Sequence, residues 1–460
     1  MKANARTSLW VIAACTLFAC SGGRCGGSSA TNDGSSSSNT SASSSASSTG
    51  PSNPVGTASA KPTPTETPVT VCKADPWPTF AHDARRTGVT EGCCAGKLKE
   101  LWRFKPPSKD KREGVAETPI VTDDGIYVGG LIGESTAVFG LTHNGELRWT
   151  FDSRTDIHHG QWPIAAHGVV AVNDDGLFML NPGDGKQTVD HGLDTWGQLA
   201  ADDERFYFAN ACHVEGPLAF VCAADQRGEP LWQQNKLGSS PQDVMDELGA
   251  IAIDGGALFQ AAEYRFTAAS RSGLYAFERR AGTPRWTVKT SPRSDISAND
   301  GKVFGVERQG KGLALIARNQ ADGGLVWSSD VRGTDQSSPL IVNDEIITFS
   351  YEDGWQSRDA LSGTVKWQTP SPVKRPVESL VGKKFLRTSR ATHAAATRDG
   401  HLIVTAGGQV RVLRTQDGKP AHEGALGDGL TLGKVVHSPV PALGNLYVIA
   451  DGALVALSCE

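Results

Sequence analysis

Short apolar runs separated by glycine-containing turns recur along the chain from residue 97 onward. Typical first runs occupy residues 125–128 and 205–208, and typical second runs occupy residues 273–277 and 452–457. Their lengths and their bulky apolar residues are typical of β-strands. Because no long stretch has the period of an amphipathic helix, the pattern predicts an all-β protein.

The clearest repeated element is a glycine followed four residues later by a tryptophan. It occurs at Gly145/Trp149, Gly228/Trp232, Gly282/Trp286, Gly323/Trp327 and Gly363/Trp367. Glycine supplies the positive φ of a tight turn, so each pair predicts a β-hairpin whose second strand carries the tryptophan. The large indole ring is then expected to pack between neighbouring sheets. Two further units, at Gly185 and Gly418, keep the turn without the tryptophan.

The number of repeats predicts the architecture. Seven units end in a fourth strand of their own, near residues 149, 189, 232, 286, 327, 367 and 422. An eighth unit begins near His437 and stops at Leu457, before any such strand. An unassigned strand at about residues 98–104 can complete it, which would close the ring and remove the free strand edges. Repeats of this length predict an eight-bladed β-propeller.

The chain begins with the features of an export signal. Lys2 and Arg6 precede an apolar stretch at residues 9–19, which is too short to span a bilayer as a helix. The stretch ends at Cys20 in a sequence that resembles a lipobox, whose cysteine becomes acylated. Cys15 is the alternative acylation site. We therefore expect a lipoprotein signal peptide at residues 1–20 and a membrane anchor made of acyl chains.

Residues 21–70 consist mostly of Ser, Thr, Gly, Ala and Pro and contain no aromatic residue. Such a segment cannot bury enough apolar surface to offset its ordering entropy, so it predicts a flexible linker with a span of roughly 40 Å. Ser21 rather than Asp follows Cys20, which favours the outer membrane of a Gram-negative envelope. We expect the propeller to occupy residues 71–460 and to face the periplasm or the cell surface.

The cysteines fit an oxidising compartment. Cys459 follows the last strand, and the adjacent Cys93 and Cys94 precede the closing strand, so Cys459 is expected to pair with one of the two. Cys72 could take the other. Cys212 and Cys222 lie about a hairpin apart and are expected to pair. If Cys15 rather than Cys20 is acylated, Cys20 and Cys25 could form a further disulfide.

The repeats resemble those of quinoprotein alcohol dehydrogenase-like propellers. The shared pattern is Ala-x-Asx-x-x-x-Gly-x-x-x-Trp, as at residues 317–327, and residues 75–88 are also typical of this class. The resemblance covers roughly residues 75–458. It implies the propeller fold but not a function, because the class contains both quinone-dependent dehydrogenases and non-catalytic members. One non-catalytic member is the scaffold lipoprotein of the outer-membrane β-barrel assembly machine.

The resemblance implies that an enzyme of this class would need pyrroloquinoline quinone, Ca²⁺ and a carboxylate base. A vicinal cysteine pair is a known feature of the dehydrogenases, and Cys93-Cys94 is such a pair, but we interpret these residues as members of two separate structural disulfides. No set of residues aligns with the family's calcium and base positions, and generic hydrolase, zinc-protease and phosphate-loop motifs are absent. We therefore predict no catalytic residue, no metal site and no cofactor.

The segments that lead into the first strand of each unit are expected to face the central channel at one end of the ring. They carry polar or aromatic candidates for ligand binding, namely Glu117, Gln161, Trp162, Trp196, Gln198, Glu247, Asp295, Asp335, Gln336, His393 and His437. A ring of such groups could bind a small ligand or cation, and the two tryptophans could anchor a peptide or sugar.

The net charge of −5 and the lack of a basic patch argue against binding to nucleic acid. The sequence favours a monomeric, membrane-tethered scaffold that binds an envelope protein or peptide without catalysis. A quinone-dependent oxidoreductase, active or degenerate, is the alternative, and a cell-envelope carbohydrate binder is a third possibility.

Overall fold

The computed structural model describes seventeen stretches of the chain, and the statements that follow apply to them: residues 73–94, 97–107, 114–132, 135–156, 163–173, 177–190, 194–195, 199–209, 212–213, 221–234, 251–263, 272–333, 337–371, 394–406, 408–422, 430–434 and 436–459. The propeller lies within one unit, Pro68–Glu460. The predicted signal peptide and linker lie outside the described residues. None of the described residues forms a helix that is long and apolar enough to cross a membrane.

The strands form eight blades, as the repeat predicted. The first four blades are listed from the innermost to the outermost strand. Blade 1 has β3 (Gly114–Val115) and β4 (Ile120–Thr122), both paired with β5 (Gly125–Ile132), and then β6 (Ser135–Leu141) and β7 (Leu147–Asp156). Blade 2 has β8 (Ile164–Ala166), β9 (Val169–Asn173), β10 (Leu177–Leu180) and β11 (Gln187–Asp190). Blade 3 has β13 (Leu199–Ala201), β14 (Phe206–Ala209), β16 (Val221–Ala224) and β17 (Pro230–Gln234), with a separate pair formed by β12 (Asp194–Thr195) and β15 (Cys212–His213). Blade 4 has β18 (Ile251–Asp254), β19 (Ala257–Ala262), β20 (Gly273–Glu278) and β21 (Pro284–Lys289).

The remaining blades follow the same order. Blade 5 has β22 (Ser297–Asn299), β23 (Lys302–Gln309), β24 (Gly312–Asn319) and β25 (Leu325–Val331). Blade 6 has β26 (Leu340–Val342), β27 (Glu345–Ser350), β28 (Gly354–Asp359) and β29 (Val365–Thr369). Blade 7 has β30 (Ala394–Thr397), β31 (His401–Ala406), β32 (Gln409–Arg414) and β33 (Leu430–Thr431), with β1 (Val89–Thr90) added in parallel inside β30. Blade 8 has β34 (Val436–Ala442), β35 (Asn445–Ala450), β36 (Ala453–Cys459) and β2 (Leu98–Phe104).

The N-terminal strand completes the last blade, as predicted. Strand β2 pairs antiparallel with β36, with Leu98 opposite Cys459 and Phe104 opposite Leu454. The ring is therefore closed by main-chain hydrogen bonds between the two ends of the propeller sequence. Strand β2 thereby covers the outer edge of β36, which would otherwise be exposed.

The chain of blade 7 pairs with β32 at the predicted position near residue 422. After Gly418 it forms a bridge between Leu413 and Pro420, and the backbone N–H of Ala421 donates to the carbonyl oxygen of Val412 at 2.9 Å. It pairs with β32 again at β33, which begins at Leu430.

The hydrophobic core is divided into clusters, one at each seam between neighbouring blades. At the seam between blades 4 and 5, for example, Phe259 of β19 packs with Ile296 and Ala298 of blade 5. Alternate residues of each strand face the two neighbouring blades, so both faces of every sheet are apolar. The overall stability therefore depends on contacts between blades.

Each tryptophan of the repeat packs against the turn of the next blade. The ring of Trp327 in β25 covers Gly363, where a Cβ atom would lie 2.5 Å from the ring carbon Cε3. The Trp327 Nε1–H donates to the carbonyl oxygen of Ala360 at 3.0 Å. The same donation to a turn carbonyl recurs for Trp102, Trp149, Trp286 and Trp367. The sequence pattern placed these rings between sheets, and the structure places them on the glycine of the neighbouring hairpin.

Candidate functional site

One end of the central channel is covered by the segment of residues 75–92, which we call the strap. Its carbonyl groups accept hydrogen bonds from backbone N–H groups of the inner strands and of Leu443, which follows β34. The donors are Leu443 of blade 8, Val121 of blade 1, Ala165 of blade 2, Ile253 of blade 4, Ala298 of blade 5, Ile341 of blade 6 and Ala396 of blade 7. The strap thus follows the inside of the ring from blade 8 around to blade 7. We call this end of the channel the closed end.

The two ends of the strap meet at Asp75. Its carboxylate accepts hydrogen bonds from Thr90 Oγ1 at 2.7 Å and from the backbone N–H of Glu91 at 2.7 Å. It also lies 2.9 Å from Nε2 of His82, which occupies the middle of the strap. Burial alone would raise the pKa of Asp75, but these hydrogen bonds outweigh burial and lower the pKa to about 2. The carboxylate is therefore charged at neutral pH and holds the strap as a closed loop.

Three residues in the middle of the strap are buried, and some of its backbone angles are unusual. Phe80 and Ala81 are each only 3% exposed, and Arg86, also 3% exposed, places its guanidinium 5.2 Å from the centre of the Phe80 ring. Nε of Arg86 donates to the carbonyl oxygen of Ile251, at the opposite end of the inner strand β18. The side chain of Arg86 therefore extends from the strap along the inner wall of blade 4.

The other end of the channel, which we call the open end, is formed by the segments that lead into the inner strands. Of the eleven predicted channel residues, Glu117 and Asp295 are described in full. Glu117 is half-buried, and its backbone N–H donates to the carbonyl oxygen of Gly129 at 3.2 Å. Asp295 is 4% exposed, and its Oδ2 lies 3.5 Å from Oγ of Ser338 in the next blade.

The other nine predicted channel residues stay predictions. Eight of them, Gln161, Trp162, Trp196, Gln198, Glu247, Asp335, Gln336 and His393, lie outside the described residues. His437 belongs to β34, but its side chain is not described.

Hydroxyl groups at equivalent positions join neighbouring blades at the open end. Thr118 Oγ1 donates to Ser438 Oγ at 2.9 Å across the closing seam, in the same way that Ser338 reaches Asp295. Ser438 is 1% exposed and has a φ of 54°, an uncommon value for a residue other than glycine. The described part of this end therefore carries hydroxyl groups, the buried carboxylate of Asp295 and the half-buried Glu117, a surface suited to hydrogen bonding.

Cys93, Cys94 and Cys459 lie at the closed end. Cys94 is bonded to Cys459, so the disulfide joins the residue that follows the strap to the last residue of β36. Cys93 is disulfide-bonded to a different cysteine, and Cys222 of β16 is also disulfide-bonded. Cys72 lies outside the described residues, and the side chain of Cys212 is not described. Since Cys94 is bonded to Cys459, Cys93 and Cys94 do not form a vicinal disulfide.

The role of the strap was not predicted from the sequence. Residues 75–88 are typical of a protein class, but their contacts are single backbone hydrogen bonds to distant blades, which the sequence does not indicate. The signal available was local: Asp83 accepts from the backbone N–H and the hydroxyl of Thr87, a polar turn of the kind that Asp-x-x-x-Thr sequences form.

Comparison with known proteins supports the fold. Residues 270–460 match the family model described as outer membrane protein assembly factor BamB. No curated protein matches the chain. Quinohemoprotein alcohol dehydrogenase from Comamonas testosteroni aligns with a TM-score of 0.60 at 12% identity, over 85% of this chain and 81% of that one. The computationally designed protein Ika8 aligns with a TM-score of 0.55 at 12% identity, over 79% and 100%.

BamB from Moraxella catarrhalis aligns at 14% identity over 78% of this chain and 99% of that one, with a TM-score of 0.49. At these identities the structural similarities show the fold alone. The sequence resemblance is nevertheless confirmed: the chain is an eight-bladed, quinoprotein-like propeller whose residues 270–460 match the BamB family model.

Proposed function

We propose that this protein is a non-enzymatic scaffold of the bacterial cell envelope. In this proposal it is tethered to the outer membrane by acylation at Cys20 and binds a protein or peptide partner at the open end of the propeller. The family-model match supports the assignment to the envelope, because the matched family is described as an outer-membrane assembly factor. The closed end is already covered by the strap, which leaves the opposite end for a partner.

The pairing of Cys94 with Cys459 is the observation that carries the proposal. The dehydrogenases of this class have a vicinal cysteine pair, and here the two adjacent cysteines belong to separate disulfides. In addition, Cys94 packs in the apolar cluster between blades 7 and 8, where it contacts the core and not the open end of the channel. The two adjacent cysteines therefore cross-link the chain instead of forming the vicinal pair of the dehydrogenases.

The described residues do not fit the quinone and calcium of the dehydrogenases. Calcium takes six to eight oxygen ligands, whereas the predicted channel residues that are described supply two carboxylates, those of Asp295 and Glu117. Among the described residues no group of three or more His, Cys, Asp or Glu side chains could hold a metal ion. We derive no catalytic step through a quinone or a metal in this protein.

Site-directed photo-cross-linking in the native envelope tests the proposal. A photoreactive residue at Lys434, an exposed position between blades 7 and 8 at the open end, is expected to give a discrete adduct with a protein partner. The matched control is Lys186, whose side chain is 81% exposed in the hairpin turn of blade 2 at the closed end. Adducts formed only from Lys186 would contradict the assignment of the open end.

A titration with pyrroloquinoline quinone and Ca²⁺, followed by absorbance and thermal shift, tests the alternative. The scaffold proposal expects no saturable binding at high micromolar quinone. Saturable binding together with a raised melting temperature, and no adduct from Lys434, would favour the oxidoreductase.

A further inference from the structure

The strap is held at its C-terminal end by a covalent bond. It ends two residues before Cys94, and Cys94 is bonded to Cys459 with a Cα–Cα distance of 4.7 Å. Cys94 is completely buried in the cluster that joins Ile403 and Val410 of blade 7 to blade 8. Cys459 is partly buried in the same cluster and is the more exposed of the two sulfur-bearing residues. The disulfide therefore fixes the point at which the strap leaves the channel.

The backbone of the strap is strained between its fixed points. Ala81, His82 and Arg86 have φ values of 56°, 77° and 61°. These angles lie in the left-handed region, which side chains other than glycine disfavour. A segment with three such residues keeps its conformation only when the surrounding contacts hold it in place. Loss of one fixed end should therefore make the strap open more often.

We propose that the Cys94–Cys459 disulfide is a redox-sensitive closure of the channel. When it is oxidised, the strap covers the closed end; when it is reduced, the strap opens locally while the blades stay folded. The channel would then be accessible from both ends. The effect concerns the strap and does not depend on the proposed scaffold function.

The chemistry is a two-electron thiol–disulfide exchange with a dithiol reductant of the thioredoxin-like class. A thiolate of the reductant attacks Sγ of Cys459, the S–S bond breaks, and Cys94 leaves as a thiolate that takes up a proton. The second thiolate of the reductant then attacks the mixed disulfide and releases Cys459 as a thiol. The reductant ends as a disulfide, so two electrons and two protons pass to the two cysteines.

Hydrogen exchange of the full chain distinguishes local opening from general destabilisation. The backbone amides of Ile253, Ala298, Ile341 and Ala396 donate to carbonyl groups of the strap, so their exchange reports on its opening. The amides of β24, which lies inside blade 5 and pairs with β23 and β25, provide the internal reference. The chain is compared before and after treatment with dithiothreitol, and with the variant Cys94→Ser/Cys459→Ser.

Reduction and the double variant are both expected to speed exchange of the four strap-bonded amides at least about 10-fold, given the usual stabilisation by a disulfide. Exchange in β24 should not change. The control Cys222→Ser, which removes a disulfide-bonded cysteine of blade 3, should leave the four amides unchanged. Equally faster exchange of the β24 amides would mean that the disulfide stabilises the whole propeller rather than the strap, which would overturn the proposal. No acceleration of the four amides, or no reduction of the native protein by dithiothreitol, would also overturn the proposal.

Discussion

The packing of each indole ring on the glycine of the next blade makes a quantitative prediction for Gly363→Ala. Gly363 has a φ of 72°, and a Cβ atom there would lie 2.5 Å from Cε3 of Trp327. A left-handed backbone costs alanine roughly 1–2 kcal/mol. Displacing a packed ring adds roughly 1–3 kcal/mol, as other overpacking substitutions do. We therefore expect the free energy of unfolding to fall by about 3 kcal/mol.

Gly301→Ala is the matched control for this prediction. Gly301 has nearly the same φ, 70°, but no atom of the described residues lies within 4 Å of the position of its Cβ. It should lose only the backbone contribution, about 1 kcal/mol. Both variants are compared with the parent chain by guanidinium unfolding, with unchanged slopes as a check. If the two substitutions cost the same, contact with the tryptophan ring does not constrain the turn and our account of the repeat is wrong.

Two further substitutions test the charged groups. Asp75→Asn should lower stability by about 2 kcal/mol above pH 4, because the folded pKa of Asp75, about 2, lies below its ordinary value of 3.8. This difference from the parent chain should disappear as the pH falls toward 2, and a constant difference would contradict the prediction. The control Asp300→Asn, at a side chain that is 86% exposed, should leave the free energy of unfolding at neutral pH almost unchanged. Glu307→Gln should cost about 3 kcal/mol in urea unfolding, because it breaks a two-point ion pair with Arg318 in which the side chains are only 5% and 12% exposed. The control Glu100→Gln weakens the more exposed pair with Arg103 and should lower the free energy of unfolding by less than about 0.5 kcal/mol. Equal losses for Glu307→Gln and Glu100→Gln would show that burial does not strengthen the ion pair.

The blades and their closure could be predicted because their signals are local and repeated. The spacing between Gly323 and Trp327 recurs in several units, and the missing outer strand of the last unit could be matched to residues 98–104 by counting. The hairpin of blade 7 also begins at its predicted place, because Gly418 keeps the turn and the backbone N–H of Ala421 reaches the carbonyl oxygen of Val412 beyond Pro420.

The strap could not be predicted, for a different physical reason. Its hydrogen bonds join backbone atoms, such as the carbonyl of Ala84 and the N–H of Ile253, which any sequence possesses. Only the fold brings these distant groups together, so no residue type or spacing in the sequence indicates that they are in contact. The position of Asp295 before an inner strand made it a candidate channel residue. Its burial beside Ser338 could not be predicted, because that contact joins two different blades.

The closure of the ring by β2 also sets an order of events during folding. Strand β2 can pair only after β36 has formed, and these strands are separated by nearly the whole propeller sequence. The strap requires still more, since its hydrogen-bond donors belong to seven blades. The N-terminal part of the propeller, although synthesised first, must therefore wait for the C-terminal part before it reaches its final partners. Contacts of such high sequence separation predict slow folding, with a long-lived intermediate in which the blades are formed and residues 75–104 are not yet in place.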